Sequence, residues 1–211
     1  MIATPADAGA SGRARKSGRR APAADTAMNP AIVRARRENA AGLTRISRAA
    51  KRHWRYPEGL LRLWQRDLTV TPGFIDRHPV YCAVHRGELV GFYATSGKGP
   101  VRELDHMWVH PRHIGAGVGR ALFAHLVRRL HAMEVRRLDI ASDPHAEGFY
   151  RRMGARRVGE VPSTPNGRML PLLRLTLRAS ERSHEPVRPR PAARPLREER
   201  RPARRRSTRR R

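Results

Sequence analysis

One cysteine, Cys82, stands in a chain of 211 residues. A disulfide framework within the chain is thereby excluded, and nothing points to secretion. The first residues contain no apolar core of the kind a signal peptide needs. No run approaches the ~18 apolar residues that a membrane-spanning helix requires. The expectation is a soluble, cytoplasmic protein with no membrane partner. Lysine is almost missing. Of 45 basic residues only Lys16, Lys51 and Lys98 are lysine, and acids are outnumbered so far that the formal net charge is +27. An arginine excess arises from functional patches or from a GC-rich genome. Here it is spread along the whole chain, the pattern of genomic drift.

Large apolar residues are scarce at both ends. Residues 1–29 hold Ala, Gly, Ser, Pro and Arg with little to bury, and residues 179–211 are Arg/Pro-rich. Both are expected to be disordered extensions. The C-terminal one would touch nucleic acid through phosphate contacts alone. Met28 opens "MNPAIVRARREN", which reads like a natural start.

The folded part is expected over residues 30–178, where strand and helix signals alternate. "AIVRARR" reads as a short strand, and "AAGLTRISRAAKRHW" and "PEGLLRLWQRDL" have helical spacing. "VYCAVHR" and "ELVGFYATS" flank Arg86-Gly87 as a hairpin. "VRELDHMWVH" follows as a strand. Val118, Leu122, Leu126, Leu130 and Met133 then recur at one-turn spacing, an amphipathic helix. A strand "RRLDIAS", a helix "PHAEGFYRRMG" and two strands "ARRVGEV" and "MLPLLRLTL" close the order. The class is α/β, and the early hairpin requires a mixed sheet.

Three alternating glycines, Gly115, Gly117 and Gly119, precede that amphipathic helix in "HPRHIGAGVGRALF". Each weakens a helix by roughly 1 kcal/mol relative to Ala. A helix start binds anions through its unpaired N–H groups, and glycines let a phosphate come close. A P-loop is excluded, because Arg120 and Ala121 stand where its Lys and Ser/Thr belong. A dinucleotide fingerprint fails too, because its third glycine falls on Arg120. Asp139 mimics the ribose-binding acid, yet too little chain follows for a doubly wound sheet.

"VHPRHIGAGVGRALF" resembles motif A of the bacterial GNAT N-acetyltransferases, in which a strand runs through R/Q-G-x-G-x-G into a helix. "SDPHAEGFYRRMGARRVGE" resembles their motif B, with Ala146, Phe149, Tyr150 and Gly154 at its spacing and Asp143 in place of its Asn. The resemblance covers residues 30–178. It implies a mixed central sheet of about six to seven strands, flanked by helices and splayed at the cofactor site.

The implied function is direct acetyl transfer from acetyl-CoA, without a metal, to a primary amine of a small molecule or peptide. The implied cradle for the pyrophosphate is Gly115, Ala116, Gly117, Val118, Gly119 and Arg120. Ile114 stands at the family's Arg/Gln position, and Arg112 or His113 would cover the missing contact. Asp143, Ala146 and Phe149 would also hold the coenzyme. The oxyanion donor would be a backbone N–H of Met107, Trp108 or Val109, where the family's strand bulges. Tyr150 would protonate the leaving thiolate; as a bland alternative it packs on the sheet beside Phe149.

Asp105, Glu103 and His106 are the candidate bases. Each also reads as a surface or structural group. Strand alternation puts Glu103, Asp105, Met107 and Val109 on one face and Leu104, His106, Trp108 and His110 on the other, making Asp105 and His106 rivals. His106 and His110 lie about 13 Å apart on an extended strand, too far to share a metal. His53, Trp54 and Tyr56 would wall the acceptor site. Two other classes stay open: a basic nucleic-acid-associated protein with an accessory or inactive GNAT domain, and an acetyl-CoA sensor that does not transfer. Either monomer or homodimer is compatible.

Overall fold

The computed structural model describes residues 28–164 and 167–177. The extensions expected before residue 30 and after 178 lie outside the described residues, apart from 28 and 29. Among the described residues, seven strands form one sheet in the order β1-β2-β3-β4-β5-β7-β6. They are β1 Ala31–Arg34, β2 Val80–His85, β3 Glu88–Ser96, β4 Val101–Val109, β5 Arg137–Ala141, β6 Arg156–Pro162 and β7 Met169–Thr176. Every neighbouring pair is antiparallel except β4 with β5. That mixed sheet is the one the early hairpin demanded. The hairpin turns at Arg86 and Gly87, both with positive φ (50° and 82°). This left-handed pair matches the twist of the strands it joins.

Among the described residues five α-helices flank the sheet: α1 Ala40–His53, α2 Glu58–Leu63, α3 Pro72–Arg77, α4 Val118–Ala132 and α5 Pro144–Arg152. One apolar cluster gathers Leu122, Leu126 and Leu130 of α4 with Leu138, Leu173 and Tyr150. The other gathers Leu43 and Ile46 of α1 with Ile75, Phe92 and Cys82. Cys82 is fully buried, and burial pushes its thiol up to about 12. It packs and does not react.

Two expectations need correction. The helix signal from Pro57 to Leu68 yields only six helical residues, because tighter turns follow Leu63. Trp64 and Leu68 are buried there while Leu63 is 45% exposed. Met133 ends α4 as an exposed cap and not as part of its apolar stripe. No helix among the described residues is long and apolar enough to cross a membrane.

Candidate active site

β4 and β5 pair over three residues only, from Val101↔Arg137 to Glu103↔Asp139. Beyond that point β5 continues along β7 to Ala141, and β4 runs on without it. A gap therefore opens beside residues 104–109 of β4. The backbone facing it follows from the phase of the antiparallel ladder. His110 N–H donates to the Val90 carbonyl at 2.9 Å. Alternation from that bond turns the amides of Trp108 and His106 towards β3. The N–H groups of Met107 and Val109 then point into the gap. Of the three expected donors, Trp108 is the one whose amide is taken.

A β-bulge breaks the expected side-chain alternation. Ala94 lies opposite His106, but Thr95 lies opposite Leu104, so Asp105 is an extra, unpaired residue. The bulge flips the parity of everything before it. Leu104 joins Met107 and Val109 in the cluster under α4, while Trp108 packs on the α1 side. The expected grouping of Leu104 with His106 and Trp108 is thus overturned. So is the rivalry of Asp105 and His106, because both line one cleft together with Lys51, Trp64, Trp108 and Arg168. Glu103 is exposed, opposite Ser96 on β3 and Asp139 on β5, and does not line that cleft.

The two cleft residues differ chemically. Asp105 accepts a hydrogen bond from Ser96 at 2.7 Å. Asp105 is itself exposed, like Glu103; its partial desolvation raises the carboxyl above the ordinary range, Glu103 adds to this, and Ser96 and His78 oppose it. His106 packs edge-on against Phe74 and near Phe92. The indole N–H of Trp108 lies 3.1 Å from its Nδ1. An indole only donates, so Nδ1 is the acceptor and the neutral ring carries its proton on Nε2. Desolvation, with His78 adding, drives the His106 pKa down to about 4. A base whose lone pair is already engaged and whose pKa is so low is a poor proton acceptor.

This has a consequence for stability. Between about pH 6.5 and 4 the unfolded chain binds a proton at this histidine that the folded chain refuses. Stability is therefore present above pH 6.5 and lost as pH falls towards 4, by up to about 3 kcal/mol. Urea unfolding at pH 7 and pH 4.5 is expected to show a smaller acid loss in His106→Gln than in the native sequence. An equal loss in both would put the effect elsewhere.

After β4 the chain makes a single 3-10 turn, Pro111–His113. Gly115 and Gly117 then adopt φ of 87° and 89°, and Gly117 caps the start of α4. Glycine takes these values at no steric cost, and Asn and Asp are the side chains that best tolerate the left-handed region. The two left-handed steps bring residues 117–120 into a helix start whose first amides have no helical acceptor. Arg120 is exposed on this first turn, and Arg112 is exposed just before it. Ile114 is 45% exposed. A Cβ at Gly119 would meet the Phe149 ring at 3.4 Å, an ordinary contact, so packing alone does not demand glycine there. Ala146 and Phe149 pack against the main cluster, with Phe149 edge-on to Phe123 and Tyr150. Tyr150 is 6% exposed. Burial raises its phenol, and the Asp143 carboxylate adds to the effect.

Asp143 is where the tertiary structure adds most. Its Oδ1 caps α5 by accepting from the His145 amide at 3.0 Å. Its Oδ2 lies 2.6 Å from Lys51 Nζ, with both side chains nearly buried (13% and 11% exposed). Tyr56 donates to the same carboxylate at 2.9 Å, and Arg168 donates to the Tyr56 hydroxyl at 2.9 Å. Burial alone would raise this carboxyl; Lys51, the His145 amide and Tyr56 bring it below the ordinary range. The Lys51 ammonium sits over the Trp64 and Tyr56 rings, 4.4 and 4.7 Å from their centroids. Trp54 stacks on His145 of α5 at 4.7 Å, and none of His53, Trp54 and Tyr56 lines the cleft. Sequence reasoning missed Lys51, Trp64 and Arg168. The near-absence of lysine was the one signal that singled out Lys51.

Parallel strands that part beside a glycine-marked helix start define a class of protein. Residues 40–155 match the profile described as the acetyltransferase (GNAT) family. The chain belongs to this family of acyltransferases.

It is similar to the peptidyl-lysine N-acetyltransferase YjaB of Escherichia coli (strain K12), with 28% identity over 143 residues. That match covers 59% of this chain and 93% of the relative. The fold is shared with a GCN5-related N-acetyltransferase from Rhodopseudomonas palustris at a TM-score of 0.62 and 23% identity, covering 71% of this chain and 97% of that one. It is also shared with PaiA N-acetyltransferase from Thermoplasma acidophilum, solved with coenzyme A, at a TM-score of 0.60 and 14% identity, covering 71% and 99%.

Proposed function

We propose that this acyltransferase moves an acetyl group from acetyl-CoA directly to a primary amine of a small molecule or peptide. The observation that carries the reading is the gap between β4 and β5, with the Gly115–Arg120 turn directly after β4. The helix start and Arg120 bind the pyrophosphate. The Met107 and Val109 amides pair with the extended arm and stabilise the oxyanion, a contribution of about 3 kcal/mol for one preorganised donor. Asp105 removes the amine proton, directly or through water. Its raised carboxyl makes it a better base than an ordinary aspartate, and the engaged Nδ1 of His106 removes its competitor. Tyr150, kept protonated by burial, supplies the proton to the departing thiolate. Asp143 holds α5 in place through its cap and its bond to Lys51, and is committed within the protein. The similarity to YjaB, a peptidyl-lysine acetyltransferase by name, supports an amine as the acceptor group.

Gly117→Asp is the test of the cradle. Aspartate is among the residues that tolerate left-handed φ, so the fold should survive. Its carboxylate would face the pyrophosphate, and such like-charge contacts cost on the order of several kcal/mol. Calorimetry is expected to show acetyl-CoA binding lost. Undiminished affinity in a folded variant would refute the assignment.

A further inference from the structure

The cleft lined by Lys51, Asp105 and Arg168 carries an unbalanced charge on one side. In the chain Arg168 to Tyr56 to Asp143 to Lys51, two cations share one carboxylate. Lys51 takes that carboxylate at 2.6 Å and is nearly buried, so its charge is spent. Arg168 reaches only the Tyr56 hydroxyl, and among the described residues it has no carboxylate partner. It is held nonetheless. Its guanidinium lies over the Tyr56 and Trp64 rings, 5.0 and 5.9 Å from their centroids. Its backbone carbonyl accepts from the Ser163 amide at 2.8 Å. A half-buried guanidinium fixed over two aromatic faces and lacking an anion is a ready carboxylate receptor.

The opposite pole of the cleft is acidic. Asp105 lies on the β4 bulge, beside the gap where the acetyl group must arrive. Asp67 adds a second carboxylate to the lining. Leu68, Trp108 and Leu170 also line the cleft and offer apolar surface to a side chain, beside the polar Ser163 and Thr164. Amine towards β4 and anion towards β7 is the polarity of a free amino acid. A lysine side chain within a protein carries no carboxylate near its amine.

We propose, on the acetyltransferase reading above, that the acceptor is a free amino acid with an apolar side chain. Its carboxylate is held by Arg168 and its amine is presented to Asp105.

The probes are L-leucine and L-phenylalanine, each against its carboxamide, which keeps the amine and removes the charge. Binding to the full-length protein is read by ligand-observed NMR, and turnover by thiol release from acetyl-CoA. The free acids are expected to bind at least about tenfold better than the amides, the range of a charge-assisted hydrogen bond. Arg168→Gln keeps a donor for Tyr56 and is expected to bring that ratio close to one without changing acetyl-CoA affinity. Arg168→Lys is expected to restore part of it. Equal binding of acids and amides to the native protein, binding of neither, or an equal loss of both in Arg168→Gln would overturn the proposal. The two readings fail separately. If acetyl-CoA does not bind while the acids keep their advantage, acetyl transfer is refuted and the carboxylate site stands.

Discussion

Tyr150→Phe is expected to slow acetyl transfer by about 10²–10⁴-fold, the range of a positioned general acid, while acetyl-CoA affinity holds. The substitution removes one hydroxyl and leaves the ring. That ring is what packs against Phe123 and Phe149, so the core loses almost nothing. The phenol is raised by burial first and by Asp143 second, so it is protonated at every working pH. The phenol therefore holds a proton for the departing thiolate, and the phenolate left behind, a strong base, regains one from water. Single-turnover rates with a good acceptor separate this from a packing role. An unchanged rate would leave Tyr150 as a core aromatic.

Lys51→Met should destabilise the fold by about 3–5 kcal/mol, the cost of leaving one buried charge without its partner. Asp143 would then be almost buried with only the Tyr56 hydroxyl and the His145 amide against it. The melting temperature would fall on the order of 10 °C. Lys51→Met combined with Asp143→Asn should recover much of that loss, because the uncompensated charge is gone and the Asn still caps α5. Equal destabilisation in the single and double variants would show that Lys51 acts through its stem packing on Trp64 and not through charge.

The signals that could be read along the chain were local ones. The glycines before Val118 forecast the turn because two of them need positive φ, a property of single residues. The period of Leu122, Leu126 and Leu130 forecast the buried stripe of α4 because neighbours one turn apart share a face. Arg86-Gly87 forecast the hairpin for the same local reason. Motif B placed Phe149 and Tyr150 side by side on one short helix, as α5 carries them.

The tertiary structure decided everything that depends on pairing across long separations. Nothing in "VRELDHMWVH" marks Asp105 as a bulge, because the extra residue exists only relative to Thr95 and Ala94 on the neighbouring strand. That single offset exchanged Leu104 to the other face and brought Asp105 and His106 into one cleft. Lys51 and Asp143 lie 92 residues apart, and Tyr56 and Arg168 lie 112 apart. Their charges are ordinary in an arginine-rich chain until folding excludes water around them. Burial then turns four scattered polar residues into one network, since a desolvated charge must find a partner or a ligand.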